Sequence, residues 1–140
     1  MRQKYPDLKK ALSLIEAAKD EVNFTITLRL EEASANTIVR NIYESFRMLG
    51  QALLIIRGKE IPDHISHINE LIKLRVASPR PLSLLDNFRR LRHNINYYAY
   101  KSSIEDAQDI LNFAKLCFEP LFKEVKVIIE DSSKKSARPR

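Results

Sequence analysis

The chain is 140 residues long, 44% hydrophobic and 30% charged, with a net charge of +6, two glycines and one cysteine. That length supports one domain with a real core but not two, and a lone cysteine excludes an internal disulfide framework or a cysteine-based metal cluster. No run approaches eighteen apolar residues, and the opening MRQKYPDLKK lacks the apolar core of a signal peptide, so a cytoplasmic location with no membrane partner is expected.

Residues 131–140, DSSKKSARPR, set Lys134, Lys135, Arg138 and Arg140 against Asp131 alone, so half of the net charge sits there. With no apolar anchor this segment reads as a basic, disordered tail behind a domain spanning 1–130. The body of the chain is only mildly basic. Scarce glycine leaves little material for the turns of a sheet, which predicts an all-α, up-and-down bundle of four or five helices.

Pro6 suits the first turn of a helix, and Leu8, Leu12, Ile15, Ala18 and Val22 follow at helical spacing. From Val22 to Leu30 the apolar positions alternate as in a strand. No second segment offers a partner for such a strand, so helix is predicted through this stretch too. A second helix spans 36–57 on Ile38, Ile42, Phe46, Leu49, Leu53 and Ile56, and Gly58 stops it.

Pro62 and Asp63 open a third helix, expected to bury Ile65, Ile68, Leu71 and Ile72. VASPRPLS, with two prolines and no periodicity, is a connecting loop. A fourth helix is predicted over 82–98, with an apolar arc of Leu84, Phe88, Leu91, Ile95, Tyr98 and Ala99. A fifth starts near Ser103 and carries Pro120, about one turn before which a kink or break is expected. Cys117 lies inside the apolar run FAKLCF and reads as a small buried hydrophobe.

The fourth helix holds the chemistry. Arg92 falls within its apolar arc, where a guanidinium must find either a carboxylate partner or a wet cleft. Arg89, Asn96 and Tyr100 line the adjacent flank, with His93 just beyond. On the third helix His64, His67 and Glu70 share a face at spacings suited to a metal, but that face lies opposite the isoleucines and reads as solvated. No cofactor or metal motif is present: there is no Gly-rich phosphate loop, no Cys–His pair and no serine in a strand–turn–helix setting. Glu31–Glu32 and Glu105–Asp106 fall at helix ends, where carboxylates favour helix starts.

Three stretches, in this order and spacing, resemble the HEPN domain (higher eukaryotes and prokaryotes nucleotide-binding). ASANTIVRNIYESFRMLGQALLIIRG is similar to its second helix, IPDHISHINEL to its third, and LLDNFRRLRHNINYYAY lies where its signature motif falls. The likeness covers roughly residues 8–125. It implies a helical bundle that forms homodimers and binds RNA or nucleotides. It also implies, in many members, a metal-independent endoribonuclease encoded beside a nucleotidyltransferase-like antitoxin. Nucleolytic members carry an arginine followed, after four to six residues, by a histidine. Here Arg92 takes the arginine's place, and the following positions hold Tyr97, Tyr98 and Ala99.

Tyrosine is a poor general base at neutral pH. The expectation is therefore a homodimeric module that binds RNA or nucleotide through Arg89, Arg92, His93, Asn96 and Tyr97, without a cofactor and without cleavage. Two alternatives stand beside it. One is an RNase in which His93 acts as the catalytic histidine. The other is a partner-binding protein of a toxin–antitoxin-type pair.

Overall fold

A computed structural model describes residues 2–3 and 6–137, with side chains over 6–59 and 61–132. The architecture is an all-α bundle of five helices among the described residues: α1 (Leu8–Ile26), α2 (Glu32–Ile56), α3 (His64–Ile72), α4 (Leu84–Tyr98) and α5 (Ile104–Ala137). The one departure is a two-residue antiparallel pairing of β1 (Arg2–Gln3) with β2 (Lys59–Glu60).

Asp7 starts α1, its Oδ1 accepting the Lys10 N–H at 2.9 Å. The helix buries Ala11, Ile15, Ala18, Val22 and Thr25, a spacing of three and four that settles the ambiguous stretch as far as Ile26. Beyond it the predicted helix fails: residues 27–31 connect to α2, and the Thr27 hydroxyl donates to the Phe24 carbonyl at 2.6 Å. Phe24 is consequently exposed while Val22 is in the core.

α2 packs against α1, α3, α4 and α5, and so is the central helix. This explains why residues 52–56 are buried on every side, which a surface helix does not permit. Gly58, with φ 74°, ends it in the left-handed region that glycine adopts without penalty. Gly50 has a different duty. A Cβ built there would stand 1.9 Å from the His67 carbonyl oxygen, so the absent side chain lets α3 lie directly on α2.

That contact rotates α3 away from the expected orientation. Asp63 caps it, accepting the Ile65 N–H at 3.0 Å. Its buried residues are His67, Ile68 and Leu71, whereas Ile65 is 46% exposed and Ile72 only half-buried. The three-residue inward face therefore includes a histidine that the apolar pattern assigned to solvent.

α4 buries Leu85, Phe88 and Ile95. Its predicted arc holds through Ile95 and then fails, because Tyr98 and Ala99 are exposed. Ala99 adopts φ 52° and closes the helix with a Tyr100 N–H to Asn94 carbonyl bond of 3.1 Å. The turn draws the chain back to α2, where Asn36 Oδ1 accepts the Ser102 N–H at 2.7 Å. The last turn of α4 is left projecting from the bundle.

Ser103 and Asp106 cap α5 reciprocally, each side chain accepting the other's backbone N–H at 3.0 Å. The break expected before Pro120 is absent, and α5 is continuous through it. Pro120 lacks the N–H that would reach the Leu116 carbonyl. Leu116 is itself 47% exposed, so water can satisfy the freed group. The helix also continues past residue 130 to Ala137, overlapping the segment expected to be a tail; residues 138–140 lie outside the described residues. Cys117 is fully buried, as its apolar setting predicts. No helix among the described residues is long and apolar enough to cross a membrane.

Candidate functional site

α2, the start of α3 and the middle of α4 enclose a cavity of about 460 Å³. Tyr43 comes from α2. Pro62, Asp63, His64 and Ile65 form the corner that opens α3. Arg89, Arg92, His93 and Tyr97 line the α4 wall, one or two turns apart on the same side of the helix. The volume lies within the range of small-molecule sites.

Four of the five residues expected to bind are thus gathered in one place. The fifth, Asn96, is exposed and is not part of the lining. Tyr100 is also elsewhere, its hydroxyl donating to Asp106 Oδ2 at 3.0 Å, which holds its own proton more tightly. Tyr43 and His64 belong to the cavity but were missed by pattern. Tyr43 stands outside the apolar spacing that marks α2, and His64 reads as part of a solvated face.

The charge balance of the cavity is cationic. Arg89 is held by Asp86 at 2.9 Å, and the same carboxylate takes Arg90 at 2.9 Å. Among the described residues Asp63 is the only acid in the lining, and it is occupied. Its Oδ1 caps α3 and its Oδ2 accepts from the Ser66 hydroxyl at 3.3 Å. Arg92 is half-buried and makes no ion pair among the described residues. Its guanidinium carbon lies 5.9 Å from the centroid of the Tyr43 ring. Among the described residues, no structural ion pair inside the bundle accommodates Arg92. The guanidinium faces a cleft.

Behind the cavity runs a polar chain. The Tyr43 hydroxyl lies 3.3 Å from His64 Nδ1. The His64 and His67 rings are stacked with centroids 6.0 Å apart. His67 Nε2 meets the Ile61 carbonyl, and its Nδ1 lies 2.9 Å from Arg47 Nη1. Arg47 in turn bonds Glu44 and, at 3.1 Å, Gln51 Oε1.

This chain fixes a protonation state. A carbonyl only accepts and a guanidinium only donates, so His67 must carry its proton on Nε2 and offer a lone pair at Nδ1. A second proton would set N–H against N–H. Burial, opposed in part by the Ile61 hydrogen bond and reinforced by Arg47, lowers the His67 pKa in agreement. His64 is likewise lowered, by burial first and then by Arg47 and Arg92. Tyr43 is pushed up to about 12 by its burial, so it stays a neutral phenol.

With both ring nitrogens committed, His67 cannot also ligate a metal. Glu70 is engaged with Arg57 and Lys73. The spacing of His64, His67 and Glu70 therefore reflects packing and ion pairing, not a ligand set. On the other wall, the His93 ring lies 4.5 Å from Tyr97, centroid to centroid, and both side chains are exposed. They form an aromatic shelf beside Arg92. Compared with known proteins, the chain matches no family model, no curated protein and no solved structure, so the site is read from its own chemistry.

Proposed function

We propose that this chain is a HEPN-like, homodimeric binding module for RNA or nucleotide, with no nuclease activity, and that the α2–α3–α4 cavity is its ligand site. The observation that carries the reading is Arg92: a half-buried guanidinium that lines a cleft, with no carboxylate partner among the described residues. Holding such a cation without a partner is costly, and an anionic ligand supplies the missing charge. The adjoining His93–Tyr97 pair offers flat aromatic faces on which an unpaired base can stack.

Equilibrium binding of single-stranded RNA oligomers and nucleotides tests this. Binding that weakens with salt and is lost in Arg92→Ala, with the melting temperature lowered by no more than a few degrees, is the expected result. Unchanged binding in Arg92→Ala sinks the assignment. Sedimentation of the same samples tests the homodimer.

One observation favours a second reading. His93 lines the same cavity as Arg92, so a metal-independent RNase working through His93 has its two groups at hand. That reading requires RNA cleavage that disappears in His93→Ala.

A further inference from the structure

Cationic side chains around His64 differ sharply in how well they are already compensated. On α2, Arg47 is tied to Glu44 and Tyr43 presents its phenol. On α3, Asp63 is spent on the helix cap and His67 is locked in its neutral tautomer. On α4, Arg89 shares Asp86 with Arg90, His93 stands against Tyr97, and Arg92 has no carboxylate partner among the described residues. Among the described residues, an anion entering the cavity therefore meets Arg92 without a carboxylate, Arg89 with a shared one, and an imidazole that burial, Arg47 and Arg92 keep neutral.

We infer that the cavity selects a phosphate monoester over a phosphodiester, and that binding draws a proton from solvent onto His64. The inference rests on the ligand-binding reading of this cavity. A monoester at neutral pH carries between one and a half and two negative charges, against one for a diester. Placed on Arg92, the dianion cancels that residue's share of what disfavours imidazolium, beside burial and Arg47, and adds an attraction of its own.

His64 can accept the proton without breaking its existing contact. In the neutral ring, Nδ1 and the Tyr43 hydroxyl share one hydrogen bond whose direction either group can supply. In the imidazolium, Nδ1–H donates to the Tyr43 oxygen and Nε2–H becomes available to the phosphate. Tyr43 keeps its own proton throughout, so solvent is the source. His67 cannot substitute, because Arg47 already occupies its Nδ1.

Two sources supply such a group, a free nucleotide and the 5′ end of an RNA strand. Calorimetry near pH 7 on the full chain separates them. The probes are adenosine 5′-monophosphate and one short RNA prepared with a 5′-phosphate or a 5′-hydroxyl. Each titration is run in two buffers of different ionisation enthalpy, so that the proton count is read directly.

The expected result is that 5′-phosphate RNA binds at least about tenfold more tightly than its 5′-hydroxyl form, with net proton uptake. Tight binding of the mononucleotide as well identifies free nucleotides as ligands; tight binding of the RNA alone identifies strand ends. In His64→Gln, which keeps a hydrogen-bonding partner for Tyr43, uptake is expected to vanish while weaker binding remains. Equal affinity for the two RNA forms overturns the inference. So does the absence of proton uptake by the wild type, or uptake that survives His64→Gln and disappears in His93→Gln. If no probe binds at all, the ligand-site reading fails together with this inference, which is a different outcome from binding without selectivity or uptake.

Discussion

Arg92 stands over the ring of Tyr43, its guanidinium carbon 5.9 Å from the ring centroid. The two side chains come from α4 and α2, and the space between those helices and α3 is the candidate site. A surface arginine would be unremarkable. This one is half-buried against a tyrosine face, with the nearby Asp86 already taken by Arg89 and Arg90, and the proposed function gives it an external anion as partner.

If Arg92 is held for a ligand and not for stability, truncating it costs the fold little. Arg92→Ala is expected to lower stability by about 1 kcal/mol or less, the scale of a partly exposed cation–π contact. Its field on His64 also disappears, so the His64 titration in an NMR pH series moves upward. Destabilisation of several kcal/mol, or an unmoved His64, contradicts this account of the residue.

The locked tautomer of His67 makes stability depend on pH. Its pKa in the folded chain lies below the ordinary 6.5, so on acidification the unfolded chain takes up the proton first. The stabilising contribution is therefore complete above about pH 6.5 and lost as pH falls through the lower folded value. Melting temperature is expected to drop between pH 7 and pH 5. His67→Gln should be less stable than the wild type at pH 7.5 but should lose less on acidification. His64, lowered in the same sense, supplies part of what remains.

Tyr43 has the opposite sign. Its folded pKa is raised to about 12 from 10.0, so the stability it contributes is intact below pH 10 and lost as pH rises through about 12. Absorbance titration of tyrosinate should show a late-titrating phenol that is missing in Tyr43→Phe. The same substitution removes the hydroxyl facing His64, at a cost of about 0.5–1.5 kcal/mol. A Tyr43→Phe protein with an unchanged late step would show that this phenol is not the shielded one.

Gly50 couples the fold to the site. Gly50→Ala gains about 1 kcal/mol of helix propensity, yet its Cβ would fall 1.9 Å from the His67 carbonyl oxygen. Backbone cannot yield there without moving α3. Net destabilisation of about 1–3 kcal/mol is expected from such overpacking. Ligand binding should weaken as well, because α3 carries His64. A stabilised variant with full binding would mean that α3 does not approach α2 this closely.

The helices were legible because their signals are local. Gly58, Asp63 and Ser103 each mark a terminus within a residue or two of where it falls, and Pro6, expected in the first turn of α1, lies just before the Asp7 cap. What the pattern could not supply was orientation. Ile65 and His67 are two residues apart, and only the close approach of α3 at Gly50 decides that the histidine goes in and the isoleucine out. Gly50 inside a helical pattern was the available signal, since a glycine there often marks close packing.

The same limit applies to the site. Arg89, Arg92, His93 and Tyr97 share one helix and were found together, whereas Tyr43 and His64 reach the cavity from other helices. No spacing rule links residues across that distance in the chain. The apolar arc of α4 failed only in its last turn, where Tyr98 and Ala99 project from the bundle before the chain returns to α2.

The most direct test of the central claim is to map where a nucleotide binds. Titration of isotopically labelled protein with adenosine 5′-monophosphate should perturb NMR resonances around Tyr43, His64, Ile65, Arg92, His93 and Tyr97. The other end of α2, where Glu32 and Asn36 approach Lys101 and Ser102, should stay unperturbed. Shifts confined to that opposite end, or none with either the nucleotide or the 5′-phosphate RNA, would contradict the assignment of the Arg92 cavity as the ligand site.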